Sequence, residues 1–325
     1  MQALVAHDYG PPSQLTLAEM PMPELDRDPQ RPQVLVRMRA AALNPFDLKL
    51  LTGAMRERIP VSFPYIPGMD GAGTVAALGT GVQGVAEGDE VFGFFGRTPG
   101  TIAQYAVLDV GPYLARRPPQ LDALHAAALG ESGVTAKSLL RAVELDPAAG
   151  ETSAAGRTVL VIGATGGIGM FAVQLAAAAG AQVLATAGPA EVDYVLGLGA
   201  AHALDYTKGA LAEQVLAVHP GGVDTAIDLV NSGDGVLATA GAIAAGGRLV
   251  SPLGGPSDLG RGIVASYVSL TLQDGDLDDL AARAASGALR IELGGVYPLA
   301  QAGQAFVDFA EGHTRGKLVI AVSPS

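Results

Sequence analysis

The hydrophobic pattern of this chain changes character partway along. Up to about residue 125, apolar positions come in short alternating runs: "QVLVRMRAAAL", "AGTVAALG", "DEVFGFF" and "AQYAVLD", separated by Gly, Pro and Asp. Alternation of this kind between turn residues predicts the strands of a compact, mostly β domain. From 158 onward the pattern lengthens. "TVLVI" is continuously apolar, "GIGMFAVQLAAAA" follows at helical spacing, and a second strand-like run comes after it, which predicts a strand at 158–162, a helix at 167–179 and a strand at 182–186. The alternation continues with "HALDY" as strand, "LAEQVLAVH" as helix, "VDTAIDLV" as strand, "GVLATAGAIAA" as helix and "GRLVSPLG" as strand. Beyond these, "IVASYVSLTL" reads as a strand, "LDDLAARAASGAL" as a helix and "GKLVIAV" as a final strand, while "DPAAGETSAAGR" at 146–157 reads as a surface loop. Repeated strand–helix units of this length predict a parallel sheet with helices on both faces.

Residues 158–190 contain no Asp, Glu, Lys or Arg. A run that long without charge is a candidate membrane span. Yet Gly163, Gly166, Gly167, Gly169 and Gly180 interrupt it, Gln174 and Gln182 dilute it, and no aromatic belt or Lys/Arg cluster marks its ends. The span is rejected in favour of strand, turn and helix. In that reading "GATGGIG" is the first turn of a βαβ unit, where backbone N–H groups and a helix N-terminus converge on an anion. The spacing departs from G-x-G-x-x-G, and a plainer alternative is that the glycines only permit tight strand–helix packing.

Composition narrows the classes further. A chain of 325 residues is long enough for about two domains. With 49% hydrophobic and 16% charged residues it is no disordered segment. A net charge of −12 argues against nucleic acid or an anionic membrane as the partner. The absence of Cys removes disulfides, thiolate nucleophiles and cysteine-rich zinc sites. "MQALVAHDYGPP" lacks the cationic and apolar regions of a leader, so a cytoplasmic location is expected.

The glycine turn resembles that of the short-chain dehydrogenases, which carry it at the extreme N-terminus and use a Tyr-x-x-x-Lys pair. None of the eight tyrosines (Tyr9, Tyr65, Tyr105, Tyr113, Tyr194, Tyr206, Tyr267, Tyr297) has Lys four residues on, and that relationship is rejected. Instead, "AALNPFDLKL", "YIPGMDGAGTVAALGTGVQGVAEGDEVFG", "AAALGESGVTAKSLL", "VLVIGATGGIGMFAVQLA", "GGRLVSPLG" and "HTRGKLVIAV", in this order, resemble the medium-chain dehydrogenase/reductase superfamily. Within it the zinc-independent NADPH:quinone oxidoreductase branch, zeta-crystallin-like, is most similar, over nearly the whole chain. The resemblance implies an α/β fold class. A GroES-like, mostly-β catalytic domain would occupy 1–125 and a Rossmann doubly wound parallel sheet 126–265, with 266–325 returning to the catalytic domain and the active site in the cleft between them.

Zinc-dependent relatives ligate their ion with Cys, His and Cys, and the corresponding positions here are Asn44, Met69 and Glu131. An amide, a thioether and one carboxylate poorly suit an ion that prefers thiolate and imidazole. His7, His125, His202, His219 and His313 show no ligand spacing to one another and read as surface or helix-end residues. Without a Lewis acid, alcohol oxidation loses its usual device, whereas an activated acceptor still takes hydride when held near a nicotinamide.

By position, the resemblance implies that Gly163, Ala164, Thr165, Gly166, Gly167 and Ile168 form the pyrophosphate turn, with N–H groups offered by Gly166, Gly167 and Ile168. Thr135 would approach the nicotinamide, and Leu229, Leu253 and Lys317 would join the cofactor contacts. Asn44 matches the family's active-site asparagine, facing the substrate oxygen or the nicotinamide ribose, with Asp47 orienting it. "NPFD" is equally an Asn-Pro turn with Asp as a helix N-cap. Tyr65 lines the cleft mouth or simply packs in the core.

The turn at Thr186, Ala187 and Gly188 carries no acid to repel a 2′-phosphate, and Tyr206, with Lys208 near it, matches a tyrosine that stacks there in NADPH-using relatives. The basic residue of those relatives is missing, and Glu191 falls near its place. NADPH is the expected cofactor, and an NADPH-dependent reductase of a quinone or α,β-unsaturated carbonyl is the expected function. An enoyl-thioester reductase and a weakly catalytic, crystallin-like NADPH-binding protein are the alternatives. The apolar run 263–272 predicts a homodimer through the Rossmann sheet edge.

Overall fold

The structure is a computed structural model that describes residues 1–94, 100–145, 153–312 and 314–323. His313 and residues 146–152 of the expected surface loop lie outside the described residues. In chain order the first elements are β1 (Gln2–Val5), β2 (Thr16–Glu19), β3 (Gln33–Ala42), α1 (Pro45–Leu51), β4 (Asp70–Leu78), β5 (Glu90–Phe94), β6 (Tyr105–Asp109), β7 (Leu114–Arg116) and α2 (Ala123–Ala142). There follow β8 (Thr158–Ile162), α3 (Gly167–Ala178), β9 (Gln182–Ala187), α4 (Val192–Gly197), β10 (His202–Asp205), α5 (Leu211–Val218), β11 (Val223–Asp228), α6 (Val236–Ala240), β12 (Ile243–Ser251) and β13 (Val264–Tyr267). The last are α7 (Asp276–Ala285), β14 (Leu293–Pro298), α8 (Ala302–Glu311) and β15 (Lys317–Ala321). They form two units, one of Met1–Ser132 with Leu272–Ser325 and the other of Gly133–Thr271.

In the first unit a seven-stranded sheet runs in the order β14-β15-β3-β4-β5-β7, with β6 also paired to β3. β3 is its central strand. Val34, Val36 and Met38, two apart along it, are fully buried with Leu4, Ile102 and Phe306 in one apolar cluster. Burial of each such side chain favours the fold by about 1.5–3 kcal/mol. The alternating runs of the sequence are strands, as expected. β15 pairs antiparallel with β3, so residues near 317 stand beside residues near 42.

The second unit is a six-stranded sheet in the order β10-β9-β8-β11-β12-β13, every pairing parallel. Counted from β8 this is 3-2-1-4-5-6, the doubly wound order, and it reverses direction between β8 and β11. The uncharged run is explained by burial. All of β8 is buried, and Met170, Phe171, Ala172, Val173, Leu175 and Ala176 of α3 are buried too. Among the described residues no helix is long and apolar enough to cross a membrane.

Two expectations need correction. "GVLATAGAIAA" is not one helix: α6 stops at Ala240, and Ile243 already opens β12, opposite Val223 of β11. Pairing and full burial of the β-branched Ile243 override the helical preference of the alanines around it. "IVASYVSLTL" yields only the four residues of β13. The pattern also passed over the 20-residue α2, whose Ala126–Leu129 stretch is buried without amphipathic contrast.

Candidate functional site

The sequence-predicted cofactor residues of the second unit gather along one edge of its sheet. Gly163 through Ile168 follow β8, Thr186 lies next to last in β9 and Gly188 directly after that strand, Tyr206 follows β10, Leu229 follows β11 and Leu253 follows β12. These are the carboxyl ends of parallel strands, beside the point where strand order reverses, and that is where open α/β sheets bind ligands. Gly163 has φ +82°, a left-handed value that costs glycine little, and its N–H donates to Thr186 Oγ1 at 3.0 Å. Leu229 N–H donates to Ile162 O at 3.1 Å, which lays the β11 loop against the turn. Leu253 N–H is held by the buried Ser251 hydroxyl at 3.0 Å.

Within the turn the glycines have different jobs. A Cβ on Gly169 would sit 2.0 Å from Gly163 O and 2.7 Å from Ala164 Cα, so that glycine lets α3 pack onto the turn. A Cβ on Gly166 would meet nothing nearer than Gly163 O at 3.5 Å. Packing therefore does not require Gly166, and the space over it faces the start of α3, which no side chain caps. A gap at an uncapped helix N-terminus is a phosphate seat. The packing reading of "GATGGIG" thus describes Gly169, while Gly166 is left with space that packing does not use.

At the far end of β9 the structure departs from the acid-free turn expected there. Glu191 folds back so that Gly188 N–H donates to its Oε2 at 3.2 Å, in the capping geometry of the helical turn that follows. Lys208, expected to help a 2′-phosphate, pairs with Asp205 at 3.3 Å.

Asn44, Asp47 and Lys317 belong to a buried polar cluster in the first unit. Asn44 is the N-cap of α1, and Asp47, third residue of that helix, accepts Asn44 N–H at 2.8 Å. Asp47 is therefore not the N-cap; it supplies the return contact of a capping box. The Asn44 carboxamide faces away from the helix. Its Nδ2 donates to Asp70 Oδ2 at 2.9 Å, and its Oδ1 accepts from the ammonium of Lys317. Lys317 also donates to Ser132 Oγ at 3.1 Å and lies 3.5 Å from Asp70 Oδ2, while Glu131 N–H donates to Asp70 Oδ1 at 2.8 Å. Because Lys317 only donates and a carboxylate only accepts, the two ends of Asn44 are unambiguous. Lys317, expected among the cofactor contacts, is buried beside Asn44. Thr135 is buried on α2.

Charge in this cluster is uneven. Lys317 and Asp70 offset each other, and Asp47 is left over. Burial pushes the Asp47 carboxyl up to about 7, against the pull of Asn44 N–H and with Asp70 adding repulsion. Its Oδ1 is buried without a hydrogen-bond partner. Burial likewise raises Asp70, opposed by Lys317 and Asn44, and raises the phenol of Tyr65, with Asp47 contributing. Asp70 and Ser132 were missing from the sequence reading. Gly130 was a usable signal: a Cβ there would lie 2.6 Å from Asp70 Oδ1, so α2 needs glycine at that approach.

Zinc does not suit this donor set. Asn44 turns its only oxygen to an ammonium, which would repel a dication, and neither thiolate nor imidazole accompanies it. Among the described residues no group of three or more His, Cys, Asp or Glu is arranged to hold a metal ion.

The family described as alcohol dehydrogenase GroES-like domain matches residues 30–116, and that described as zinc-binding dehydrogenase matches 198–320. A chloroplastic NADPH-dependent alkenal/one oxidoreductase of Arabidopsis thaliana is 30% identical over 340 residues, covering 100% of this chain and 80% of that protein. A chloroplastic quinone-oxidoreductase homolog of Spinacia oleracea is 39% identical over 183 residues, or 55% of this chain and 54% of that one. The chain thus spans only about half the length of that relative, and 61% of a chloroplast envelope quinone oxidoreductase homolog of Arabidopsis thaliana. Among solved structures, the quinone oxidoreductase from Coxiella burnetii superposes with a TM-score of 0.84 at 28% identity, covering 99% of each chain.

Proposed function

The chain belongs to the medium-chain dehydrogenase/reductase superfamily, and from that membership we propose that it is a zinc-independent oxidoreductase passing hydride from NADPH to a quinone or an α,β-unsaturated carbonyl. The observation that carries this reading is the gap over Gly166 at the uncapped start of α3, on the carboxyl edge of a doubly wound sheet. The relatives' names, quinone and alkenal/one oxidoreductase, supply the acceptor class.

NADPH, when bound, supplies the hydride. The chain's part is to bind and orient. Gly167 and Ile168 would offer N–H groups to the pyrophosphate, whereas Gly166 N–H, also expected there, donates to Gly163 O at 3.2 Å; Leu229 and Leu253 would wall the dinucleotide along the strand ends. Asn44 keeps a second N–H on Nδ2 beyond the one given to Asp70, and this would meet the acceptor oxygen. The Lys317 ammonium on Oδ1 polarises that amide and makes its N–H a stronger donor for developing negative charge. Asp47, titrating near neutrality, would hold a proton beside Tyr65. A homodimer through β13 and a cytoplasmic location complete the reading; the named curated relatives are themselves chloroplastic.

The test is loss of reduced-nicotinamide absorbance with a simple quinone and, separately, a small conjugated ketone. Saturable turnover with NADPH is expected with at least one. If NADPH binds but neither acceptor nor an enoyl thioester is reduced, the protein is a cofactor-binding protein with little catalysis.

A further inference from the structure

The end of β9 holds a charge arrangement that an NADPH-only site would not. Gly188 comes directly after Ala187, the last residue of β9, and the helical turn at Pro189–Glu191 swings the Glu191 carboxylate back over it. Oε2 accepts Gly188 N–H at 3.2 Å and lies 3.4 Å from the point where a Gly188 Cβ would stand. The Tyr206 hydroxyl lies 3.4 Å from that same point, on a ring that is half exposed. A carboxylate and a phenol therefore flank one small gap at the end of the second strand, counted from the phosphate turn.

Neighbouring charge does not correct this. Asp205 lies across the β9–β10 pairing from Ala187. The Thr207 hydroxyl and N–H hold its carboxyl below the usual carboxylate range, so it is ionised at neutral pH. Lys208 is engaged by that carboxylate at 3.3 Å. With Glu191 added, these three side chains carry a net negative charge. A dinucleotide site places an acid at this strand end to take the ribose 2′-hydroxyl, and a base to accommodate a 2′-phosphate.

Resting on the hydride-transfer reading above, we infer that Glu191 reads the 2′ position of the adenosine ribose and lets NADH compete with NADPH in this chain. A 2′-hydroxyl donates to the carboxylate where it stands. A 2′-phosphate meets like charge, and it is seated only when Glu191 gives up Gly188 N–H, which the phosphate then takes. The selectivity of the site is thus set by one side chain held by one N–H.

Calorimetric titration of both dinucleotides tests this directly, without turnover. Wild-type protein should bind NADH and NADPH with Kd values within about tenfold of each other, a difference of about 1.4 kcal/mol. Glu191→Gln keeps an acceptor for Gly188 N–H and removes the charge. It should tighten NADPH about tenfold while weakening NADH by no more than about threefold. Glu191→Lys should move the ratio further the same way. An unchanged ratio in both variants would overturn the inference alone, as would a wild type that prefers NADPH by about a thousandfold. Failure of both dinucleotides to bind the wild type would overturn the hydride-transfer reading with it.

Discussion

At the scale of single residues, Asp47 is the group whose environment has the clearest measurable consequence. Its carboxyl, at 3.8 when unperturbed, is pushed to about 7 by burial, so the folded protein holds that proton more tightly than the unfolded chain does. Stability from this group is fully present below about pH 4 and is lost as pH rises through about 7. Between about pH 5 and about pH 8 the loss is about 3 kcal/mol. Asp47→Asn has no charge to bury and still accepts Asn44 N–H, so urea denaturation should show the variant gaining on wild type by roughly that amount over this range. Parallel stability curves would mean Asp47 is solvated and unperturbed. The sequence made Asn44 and Asp47 legible as a pair, because "NPFD" is a local motif. Their partners were not legible. Asp70 and Lys317 reach Asn44 from 26 and 273 residues away, Ser132 joins them through Lys317, and no periodicity in the chain records such contacts.

At the scale of the element, the β8–turn–α3 unit separates what folding needs from what binding needs. Gly169→Ala would drive a methyl into backbone atoms that cannot step aside, at 2.0 Å from Gly163 O, and should cost about 2–4 kcal/mol of stability. Gly166→Ala meets only ordinary contact at 3.5 Å, so melting should shift by no more than about 1 kcal/mol. Its methyl fills the phosphate gap, however, and NADPH affinity should fall by about tenfold or more. If Gly166→Ala binds NADPH as wild type does, phosphate does not sit there. This strand–helix unit was legible because a buried strand, a glycine turn and a buried helix follow one another within twenty-one residues, 158–178. α2 was not, because a helix buried on most sides has no polar face to reveal its period. β14 was missed for a different reason: "LGGVYP" carries two glycines and a proline, and pairing with β15 is what makes it a strand.

At the scale of the whole molecule, the sheet of the second unit ends on β13, and an edge that open needs a cover. β13 is last in the strand order. Beyond its pairing with β12, the only further bridge among the described residues joins Val264 to Asp258, leaving Ala265 to Tyr267 without a second neighbour strand. Val264 is 56% exposed, unusual for a β-branched residue inside a strand. A four-residue length limits the hazard of such an edge without removing it. Pairing with the same strand of a second copy across a two-fold axis would satisfy the free backbone groups and cover Val264 in one step, and it closes so that no polymer grows. The net charge of −12 opposes association only weakly at physiological salt, where repulsion is screened beyond about 8 Å. Light scattering at micromolar concentration should therefore report a dimer. Val264→Lys should shift it to monomer, because two ammonium groups would face each other across the axis, while the six-stranded sheet of each copy stays intact by circular dichroism. A wild type that is monomeric, or a Val264→Lys variant that remains dimeric, would remove β13 from the interface.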